Sequence, residues 1–252
     1  MEKTKNKASD ELSILNKINS MNDVEILEYR RKNQEHDSRI AKRTIRNFIS
    51  GCIKKIIDIL AGICGVTILI PLIIVVYIMR IINKENGPIF YEQLRIGKNG
   101  KIFRIHKFRS MVIGADEILA DYLKAHPKEA KEYKINKKLK NDPRITKTGK
   151  ILRKTSLDEW PQFIEILTGK MSLVGPRPYM PSEKEDMGEY YQYIIKVKPG
   201  LTGTWQIAGR SNLTFQDRLK LDEEYASRCG NRRDIVILLK TFKKVFRKEG
   251  AI

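Results

Sequence analysis

The chain has 252 residues, 41% of them hydrophobic, and 49 Lys and Arg against 30 Asp and Glu give it a formal net charge of +19 at pH 7. This length suits one main domain, with enough apolar material for a membrane element besides. The basic excess predicts anionic partners: nucleic acid, nucleotide phosphates or acidic lipid. Cys52, Cys64 and Cys229 are widely spaced without a C-x-x-C pair, which argues against a disulfide framework or a zinc site and favours a reducing compartment.

The amino-terminal part is polar. Met1 to Asp10 contain no early apolar stretch, so we expect no cleavable secretory signal there. Residues 1–37 are mixed in charge and are interpreted as a polar N-terminal segment with no assigned function. From Ser38 to Ile57 the chain has six basic residues, no acid, and apolar residues at helical spacing. This pattern predicts a basic amphipathic helix on an anionic membrane surface, where each basic residue contributes about 1 kcal/mol.

An uncharged apolar segment follows, from Ile59 to Met79. Its length is close to the roughly 20 residues that cross a bilayer core as a helix. The buried core helix of a soluble protein is the alternative. A segment that is apolar on every face, with Lys54, Lys55 and Arg80 at its ends, favours lipid instead.

Pro71 lies near the middle of this segment, where it removes a backbone donor and clashes with the preceding turn. We therefore expect a kink. Basic residues at both ends do not assign either end to the far side of the membrane. Residues 38–83 are accordingly predicted to combine the amphipathic helix with a re-entrant helix that enters and leaves by the cytoplasmic face. A proline-kinked single span is the alternative, since membranes tolerate such helices.

The remaining residues, 84–252, are predicted to form a cytoplasmic domain that begins with a β-hairpin. Pro88 to Arg95 and Lys101 to Arg109 are extended, aromatic-containing stretches, and Gly97 to Gly100 between them resemble a turn.

Two charged helices are predicted further along. Asp116 to Lys138 form a helical pattern that is broken at Pro127. Ile235 to Lys248 form a second basic amphipathic helix, which either lies on the membrane or packs its apolar face on the domain.

Common phosphate-binding motifs are missing from the sequence. It contains no G-x-x-x-x-G-K-[ST], no G-x-G-x-x-G and no H-E-x-x-H, which disfavours ordinary nucleotide hydrolases and dinucleotide enzymes. His36, His106 and His126 lack the spacing of metal ligands and are interpreted as surface or structural residues.

The segment from Arg153 to Gln162 places two adjacent acids, Asp158 and Glu159, among bases. Ser156 and Glu159 have the spacing of a helix capping box, and Pro161 suits the first turn of a helix. A catalytic interpretation is compatible with this one. A carboxylate in a first helical turn stays ionised, and free amides nearby can bind a phosphate.

An ionised carboxylate that faces a phosphate needs cations, which Arg153, Arg177 and Arg210 can supply together with a divalent metal ion. Arg177 stands between two prolines, which fixes the direction of its side chain. A rigid turn with an exposed arginine is the structural alternative. Asp222 lies in a charged stretch that, taken alone, would be the exposed face of a helix.

Seven segments in order carry a resemblance to a known family: GPIFYEQLRIG, IHKFRSM, NDPRIT, LRKTSLDEWPQ, MSLVGPRP, KPGLTGTWQIAGRSN and LDEEY. Together they closely resemble the bacterial sugar transferase family of monotopic phosphoglycosyl transferases, over roughly Ile53 to Phe246. One segment alone would prove little, but seven in the right order make chance agreement very improbable.

The resemblance implies an α+β monotopic membrane protein. Its re-entrant helix would be broken at Pro71, and its cytoplasmic, helix-rich catalytic domain would carry a small β-hairpin. Asp158 and Glu159 would be catalytic, with Mg²⁺ bound at or near Asp158. The substrate-binding residues that the resemblance implies are Lys107, Arg153, Arg177, Arg210 and Asp222.

The implied reaction has two steps. Asp158 attacks the sugar-bearing phosphate of a UDP-sugar and expels UMP, and undecaprenyl (polyprenyl) phosphate then attacks the phosphosugar on the carboxylate, while Glu159 acts as base or metal organiser. The resemblance places the enzyme on the cytoplasmic face of the bacterial inner membrane, at the first membrane step of exopolysaccharide, capsule, O-antigen or glycoprotein glycan synthesis. A homodimer is a further expectation, and nucleic acid is not an expected partner.

Two residues depart from the family pattern: Ile70 stands where serine often precedes the proline, and Trp160 where leucine often follows the acids. Neither is expected to touch the chemistry. The charged stretch Asp116 to Lys138 resembles the galactose-phosphate-transferring branch.

A membrane-tethered basic module that binds nucleic acid or acidic lipid without catalysis is the rival hypothesis. The concentrated acids at Asp158 and Glu159, and the shortage of aromatics among the bases, argue against it.

Overall fold

The structure is a computed structural model, which describes residues 23–136, 139, 141–209 and 213–247. The chain divides into two compact units, Met1–Cys52 and Ile53–Ile252. In the first unit the described residues are helical from Asp23 onward, and residues 1–22 of the predicted N-terminal segment lie outside the described residues.

The elements are numbered in chain order. The helices are α1 (Asp23–Ile82), α2 (Ala115–Ala125), α3 (Pro127–Asn136), α4 (Lys147–Thr155), α5 (Phe163–Leu167), α6 (Lys184–Met187), α7 (Tyr191–Ile194), α8 (Thr204–Ala208), α9 (Phe215–Ser227) and α10 (Asn231–Arg247). The strands are β1 (Phe90–Ile96), β2 (Ile102–Phe108), β3 (Ser172–Val174) and β4 (Gly200–Thr202). Short 3₁₀ turns, including Leu157–Gln162, join several of them. The fold is helix-rich and contains the predicted β-hairpin together with a second small sheet.

Helix α1 contains both the predicted amphipathic helix and the predicted apolar segment. Pro71 lies inside it, and the helix continues as one element on both sides, because a proline removes one backbone donor and leaves the rest of the ladder in place. The re-entrant break at Pro71 therefore stays a prediction. Phe48–Ile82 is long and apolar enough to cross a membrane. Many of its large apolar side chains are exposed, among them Ile59, Leu60, Ile63, Ile68, Ile70, Ile74, Val75, Tyr77 and Ile78.

The β-hairpin has the predicted position. Strands β1 and β2 pair antiparallel, from Phe90 opposite Phe108 to Ile96 opposite Ile102. Asn99 has a φ of 58° at the turn, and Gly100 has a φ of 75°. Both types of residue adopt the left-handed region at low cost, which is why this turn closes here.

A second, parallel strand pair was not predicted. Strand β3 pairs with β4, with Ser172 opposite Gly200 and Val174 opposite Thr202. The backbones come so close that a Cβ on Gly200 would lie 2.0 Å from the amide nitrogen of Gly175. The backbones at Gly175 and Gly200 thus pack directly on each other.

The two charged helices have the predicted positions. Helices α2 and α3 are separated at Pro127, as expected. In helix α10, Ile237 is buried against Val174 and Tyr225 in a small core cluster, while Leu239 and Phe242 are exposed. Packing on the domain therefore accounts for one apolar face of this helix.

Polar side chains attach the N-terminal side of the apolar segment to the rest of the second unit. The carboxylate of Asp58 is buried and accepts hydrogen bonds from the hydroxyl of Ser172, at 3.0 Å, and the N–H of Leu173, at 2.8 Å. The ammonium of Lys54 lies 2.6 Å from the carboxylate of Asp234 on α10. Because a buried charge is stable only when it is paired and hydrogen-bonded, these contacts fix α1 against β3 and α10.

We predict that Asp58→Ala lowers the free energy of unfolding by about 2–3 kcal/mol, because two donors lose a charged acceptor in a buried site. Asp121→Ala is the control. Its ion pair with Lys124 is exposed, with side chains 79% and 77% accessible, and its loss should change stability by less than about 0.5 kcal/mol. Thermal unfolding of the detergent-solubilised proteins measures both effects. Equal midpoints for the two variants would contradict the anchoring role of Asp58.

Candidate active site

The two adjacent acids lie in the 3₁₀ turn Leu157–Gln162, between α4 and α5. The predicted capping box is wrong. Ser156 has a φ of 57°, its side chain makes no capping hydrogen bond, and its N–H donates to the carbonyl of Arg153 at 3.1 Å. Ser156 therefore ends α4 as a left-handed C-cap, whereas an N-cap residue needs an extended conformation. Glu159 therefore does not serve as the third residue of a capping box with Ser156.

Glu159 is paired with Lys107 of strand β2. The ammonium lies 2.6 Å from the carboxylate, and the two side chains are 23% (Lys107) and 39% (Glu159) exposed. Burial favours the neutral acid, but Lys107 and then Arg95 and Arg177 outweigh it, so the pKa of Glu159 is lowered. Glu159 thus stays ionised at neutral pH.

Asp158 behaves in the opposite way. Burial, and then the adjacent charge of Glu159, raise its pKa to about 6, while Lys107 and Arg153 act to lower it. Two neighbouring carboxylates that repel each other release their protons in separate steps. Asp158 is consequently ionised at pH 7 but less strongly stabilised as an anion than Glu159. A carboxylate of this kind suits nucleophilic attack.

The predicted basic residue Arg153 lies on α4, one turn before Asp158 in the chain. Its Nε donates to the hydroxyl of Ser110 at 3.0 Å, which orients the guanidinium. Arg153 and Lys107 both stabilise the charged form of Asp158, so the structure brings these three predicted residues together. Arg210 lies outside the described residues.

A buried frame holds the loop that carries Arg177. Asp222, on α9, is fully buried, and its Oδ2 accepts from the N–H of Arg177 and the hydroxyl of Tyr179, both at 2.9 Å. The guanidinium of Arg177 donates to both oxygens of Glu183, at 3.0 and 3.1 Å. Its side chain is only 19% exposed, so the turn with an exposed arginine is not what forms. Asp222 likewise does not belong to an exposed helix face.

Arg95, on β1, is a basic residue that the sequence analysis missed. It is buried and donates to the carbonyl of Pro178 at 2.8 Å. Burial, followed by the nearby charge of Arg177, lowers its pKa to about 10, and Glu159 and Glu183 partly offset this. Within the described part of the chain its Nε has no hydrogen-bond partner. Arg95 thus adds a cation that acts on Glu159 and whose hydrogen-bonding capacity is not fully used.

Charge dominates this site. Two carboxylates are surrounded by Lys107, Arg153, Arg95 and Arg177, each of which affects the pKa of Asp158 or Glu159. Among the described residues no group of three or more His, Cys, Asp or Glu could hold a metal ion by itself. Mg²⁺ typically takes one or two carboxylates and completes its shell with water and substrate phosphates. The pair Asp158 and Glu159 fits that mode of binding.

A cationic site around two ionisable carboxylates, beside a helix with an exposed apolar surface, is typical of proteins that bind phosphate groups next to a membrane. A family model described as bacterial sugar transferase matches residues 49–248, so the chain belongs to the bacterial sugar transferase family. The resemblance stated from the sequence is confirmed.

Three relatives illustrate the similarity. An undecaprenyl-phosphate galactose phosphotransferase of Salmonella typhimurium is 41% identical over 212 residues, 84% of this chain and 43% of that protein. A UDP-galactose-lipid carrier transferase of Erwinia amylovora is 36% identical over 229 residues, 91% of this chain and 45% of its own. Exopolysaccharide production protein ExoY of Sinorhizobium fredii is 38% identical over 204 residues, 81% of this chain and 89% of its own. The chain spans less than half the length of the first two relatives.

We predict that Asp222→Asn removes part of the pH dependence of stability. Burial raises the pKa of Asp222 to about 7 in the folded protein, compared with about 3.9 in an unfolded chain. Between these values the folded state keeps a proton that the unfolded state releases, so the contribution of Asp222 to stability falls as the pH rises from about 4 to about 7. Urea unfolding at pH 5 and 7.5 should show a larger loss for wild type than for Asp222→Asn.

Glu224→Gln, on the same helix, is the matched control. Its carboxylate is 49% exposed and pairs with Arg233. This variant should follow the wild-type pH dependence. Parallel profiles for wild type and Asp222→Asn would show that Asp222 does not titrate in this range.

Proposed function

We propose that this protein transfers a sugar 1-phosphate from a UDP-sugar to undecaprenyl phosphate, with Asp158 as the nucleophile. The observation that carries the proposal is the unequal pair of acids: Asp158 has a raised pKa and Glu159 a lowered one, within one cluster of bases. Titratable neighbours whose environments push their pKa values apart are typical of groups with different chemical roles.

In the first step, an oxygen of Asp158 attacks the phosphorus that bears the sugar. The bond from that phosphorus to the bridging oxygen of UMP breaks, UMP leaves with the electron pair, and an aspartyl phosphosugar remains. In the second step, a phosphate oxygen of undecaprenyl phosphate attacks the same phosphorus and releases the carboxylate of Asp158. Each bond that forms is matched by one that breaks, and the enzyme is regenerated.

The cations around the acids reduce the repulsion between the carboxylate of Asp158 and the substrate phosphate. Lys107 and Arg153 act on Asp158, and Arg177 is held in a fixed orientation by Glu183. Fixed donors in a half-buried site stabilise the charge spread over a transferring phosphoryl group. Because the pKa of Glu159 is lowered, it is a poor proton acceptor, and we assign it to organising Lys107 and the metal ion. Bound Mg²⁺ would supply further charge neutralisation at Asp158.

The exposed apolar surface of α1 supports membrane anchoring. We propose that α1 enters the bilayer from the cytoplasmic face of the bacterial inner membrane and returns at Pro71, which keeps the catalytic domain at the headgroups, where the acceptor phosphate lies. The names of two relatives include galactose. The charged stretch Asp116 to Lys138 also resembles the branch of the family that transfers galactose phosphate. UDP-galactose is therefore the first donor to test.

A covalent mechanism makes a stoichiometric prediction. With UDP-galactose, Mg²⁺ and no lipid acceptor, wild-type protein should release about one UMP per active site and gain the mass of a galactose phosphate. Mass spectrometry should place the adduct on Asp158. Asp158→Asn should keep its thermal midpoint and form no adduct, since the amide has a similar shape but is not a nucleophile.

A second arm of this experiment tests the metal ion. Excess chelator should stop UMP release, and added Mg²⁺ should restore it. UMP that is released only when the lipid acceptor is present would instead require direct displacement in a ternary complex. Binding of UDP-galactose without any UMP release, under all of these conditions, would support a binding module.

The native cysteines test the topology. Cys52 precedes the apolar segment and Cys229 lies in the catalytic domain, and both are exposed. We expect the same result in two variants that each keep only one of these cysteines. The remaining thiol should react with a thiol reagent from the cytoplasmic side and be protected from an impermeant reagent added to intact cells. Pro71→Leu should make a fraction of Cys52 accessible from outside, because an unbroken helix satisfies its own backbone in lipid. External labelling of Cys52 in the wild-type background would establish a spanning helix.

A further inference from the structure

The membrane helix touches the catalytic turn directly. Trp160 follows the two acids in the chain, and its indole Nε1 donates to the backbone carbonyl of Gly65 in α1 at 2.9 Å. The ring of Phe163 fills the space beside the same glycine, since a Cβ on Gly65 would lie 2.1 Å from a ring carbon. Glycine in a helix interior costs about 1 kcal/mol relative to alanine, and here its absent side chain makes room for the catalytic segment.

These contacts lie on both sides of Pro71. Gly65, with its contacts to Trp160 and Phe163, precedes the proline. After the proline, Val76 belongs to a buried apolar cluster with Leu69, Phe108 and Leu152, and Trp160 packs against this cluster. Leu157 and Ile164, on either side of Trp160 in the chain, pack against it as well. The segment that carries the acids therefore packs across the point where a bend of α1 is expected.

The catalytic turn depends on such external contacts. A 3₁₀ turn has poorer hydrogen-bond geometry than an α-helix, so its own backbone holds it weakly. On one side Glu159 is tied to strand β2 through Lys107, at 2.6 Å. On the other side Trp160 is tied to α1 through the hydrogen bond to Gly65. The indole of Trp160 is half-buried, and the helical carbonyl of Gly65 can accept from its N–H through a second lone pair.

We propose that Trp160 is a positioning residue that couples the shape of the membrane helix to the placement of Asp158. Formation of the phosphosugar adduct uses only a water-soluble substrate, yet it depends on α1 through this contact. The inference rests on the proposed function. Leucine, which often occupies this position in the family, can fill the apolar space but cannot donate to Gly65. The hydrogen-bonded form of the coupling is thus a property of this chain, and the departure at Trp160 does affect the chemistry.

The first test measures the rate of adduct formation in full-length protein in lipid nanodiscs, with UDP-galactose and no acceptor. Trp160→Phe should lower this rate at least about fivefold, because small displacements of a reacting group are costly, while half-saturation by UDP-galactose stays within about twofold. Site-specific benzothienylalanine at position 160 is the matched control for shape, since it replaces only the N–H by sulfur. It should show the same loss, and a wild-type rate in this protein would overturn the proposal.

The second test asks whether the two elements are coupled. Pro71→Ala should change the adduct rate when Trp160 is present and change it much less in the Trp160→Phe background. Non-additivity of this kind in a double-mutant cycle is the signature of an interaction between sites. Additive effects would mean that the helix and the acids are independent, and would refute the coupling.

A spectroscopic readout separates this inference from the proposed chemistry. The chain has two tryptophans, Trp160 and Trp205, so 5-fluorotryptophan labelling gives two ¹⁹F signals, and Trp160→Phe assigns them. Pro71→Ala should shift the Trp160 signal and leave the Trp205 signal in place, whether or not UMP is released. An unmoved Trp160 signal would overturn the coupling, whereas a shifted signal without any adduct in wild type would refute only the proposed function.

Discussion

The candidate site depends on keeping two adjacent carboxylates ionised in half-buried positions. Asp158 and Glu159 repel each other, and burial works against both charges. Lys107 compensates one of them at 2.6 Å, and Arg153 acts on the other. An ion pair that is partly exposed contributes at most about 1 kcal/mol to stability. The arrangement therefore contributes little to the free energy of folding. Its main effect is to separate the pKa values of the two acids, so that Asp158 keeps its proton to a higher pH than Glu159.

The same balance of charge explains the rest of the site. Arg95 and Arg177 lower the pKa of Glu159, but two guanidinium groups close together repel each other. Glu183 reduces the repulsion between the two guanidinium groups, because it binds Arg177 through both of its oxygens. Asp222 accepts a hydrogen bond from the backbone N–H of Arg177 and so holds the same loop. Strands β1 and β2, the loop after β3, and helix α9 thus all meet at this point because each supplies one partner in a network of alternating charge. Removal of one member leaves another buried and unpaired.

How far the sequence predicted this structure depended on the range of the interactions. The hairpin was predictable because Gly97 to Gly100 form a local turn, and so was the break at Pro127. The pairing of β3 with β4 was not, since each strand has three residues and the contact joins distant parts of the chain. The capping box predicted at Ser156 was wrong because the spacing between Ser156 and Glu159 says nothing about where the preceding helix ends.

The candidate site shows the same division. Family motifs located Lys107, Arg153, Arg177 and Asp222 in the sequence, but the residues alone could not show that Asp222 is buried, because its neighbours in the chain are charged. Arg95 was missed for a related reason: strand β1 has no regular alternation of polar and apolar residues, so the burial of one arginine leaves no pattern. Trp160 was noticed only as a departure from the family. Its contact with Gly65 is a long-range feature, and it joins the apolar helix to the turn that carries the two acids, which neither segment reveals alone.

A covalent route and a membrane-anchored site suit each other physically. The proposed donor is water-soluble and the proposed acceptor lies in the bilayer, so a ternary complex of the two would require one site to open to both phases at once. Storage of the phosphosugar on Asp158, as proposed above, would separate the encounters with donor and acceptor in time. The polar contacts of Lys54 and Asp58 precede the apolar stretch, and Arg80, which donates to the carbonyls of Asn86 and Gly87, follows it. Helix α1 is therefore held by polar contacts on both sides of its apolar segment, and Trp160 binds between them. A change in the shape of the helix would have to be taken up in this interval.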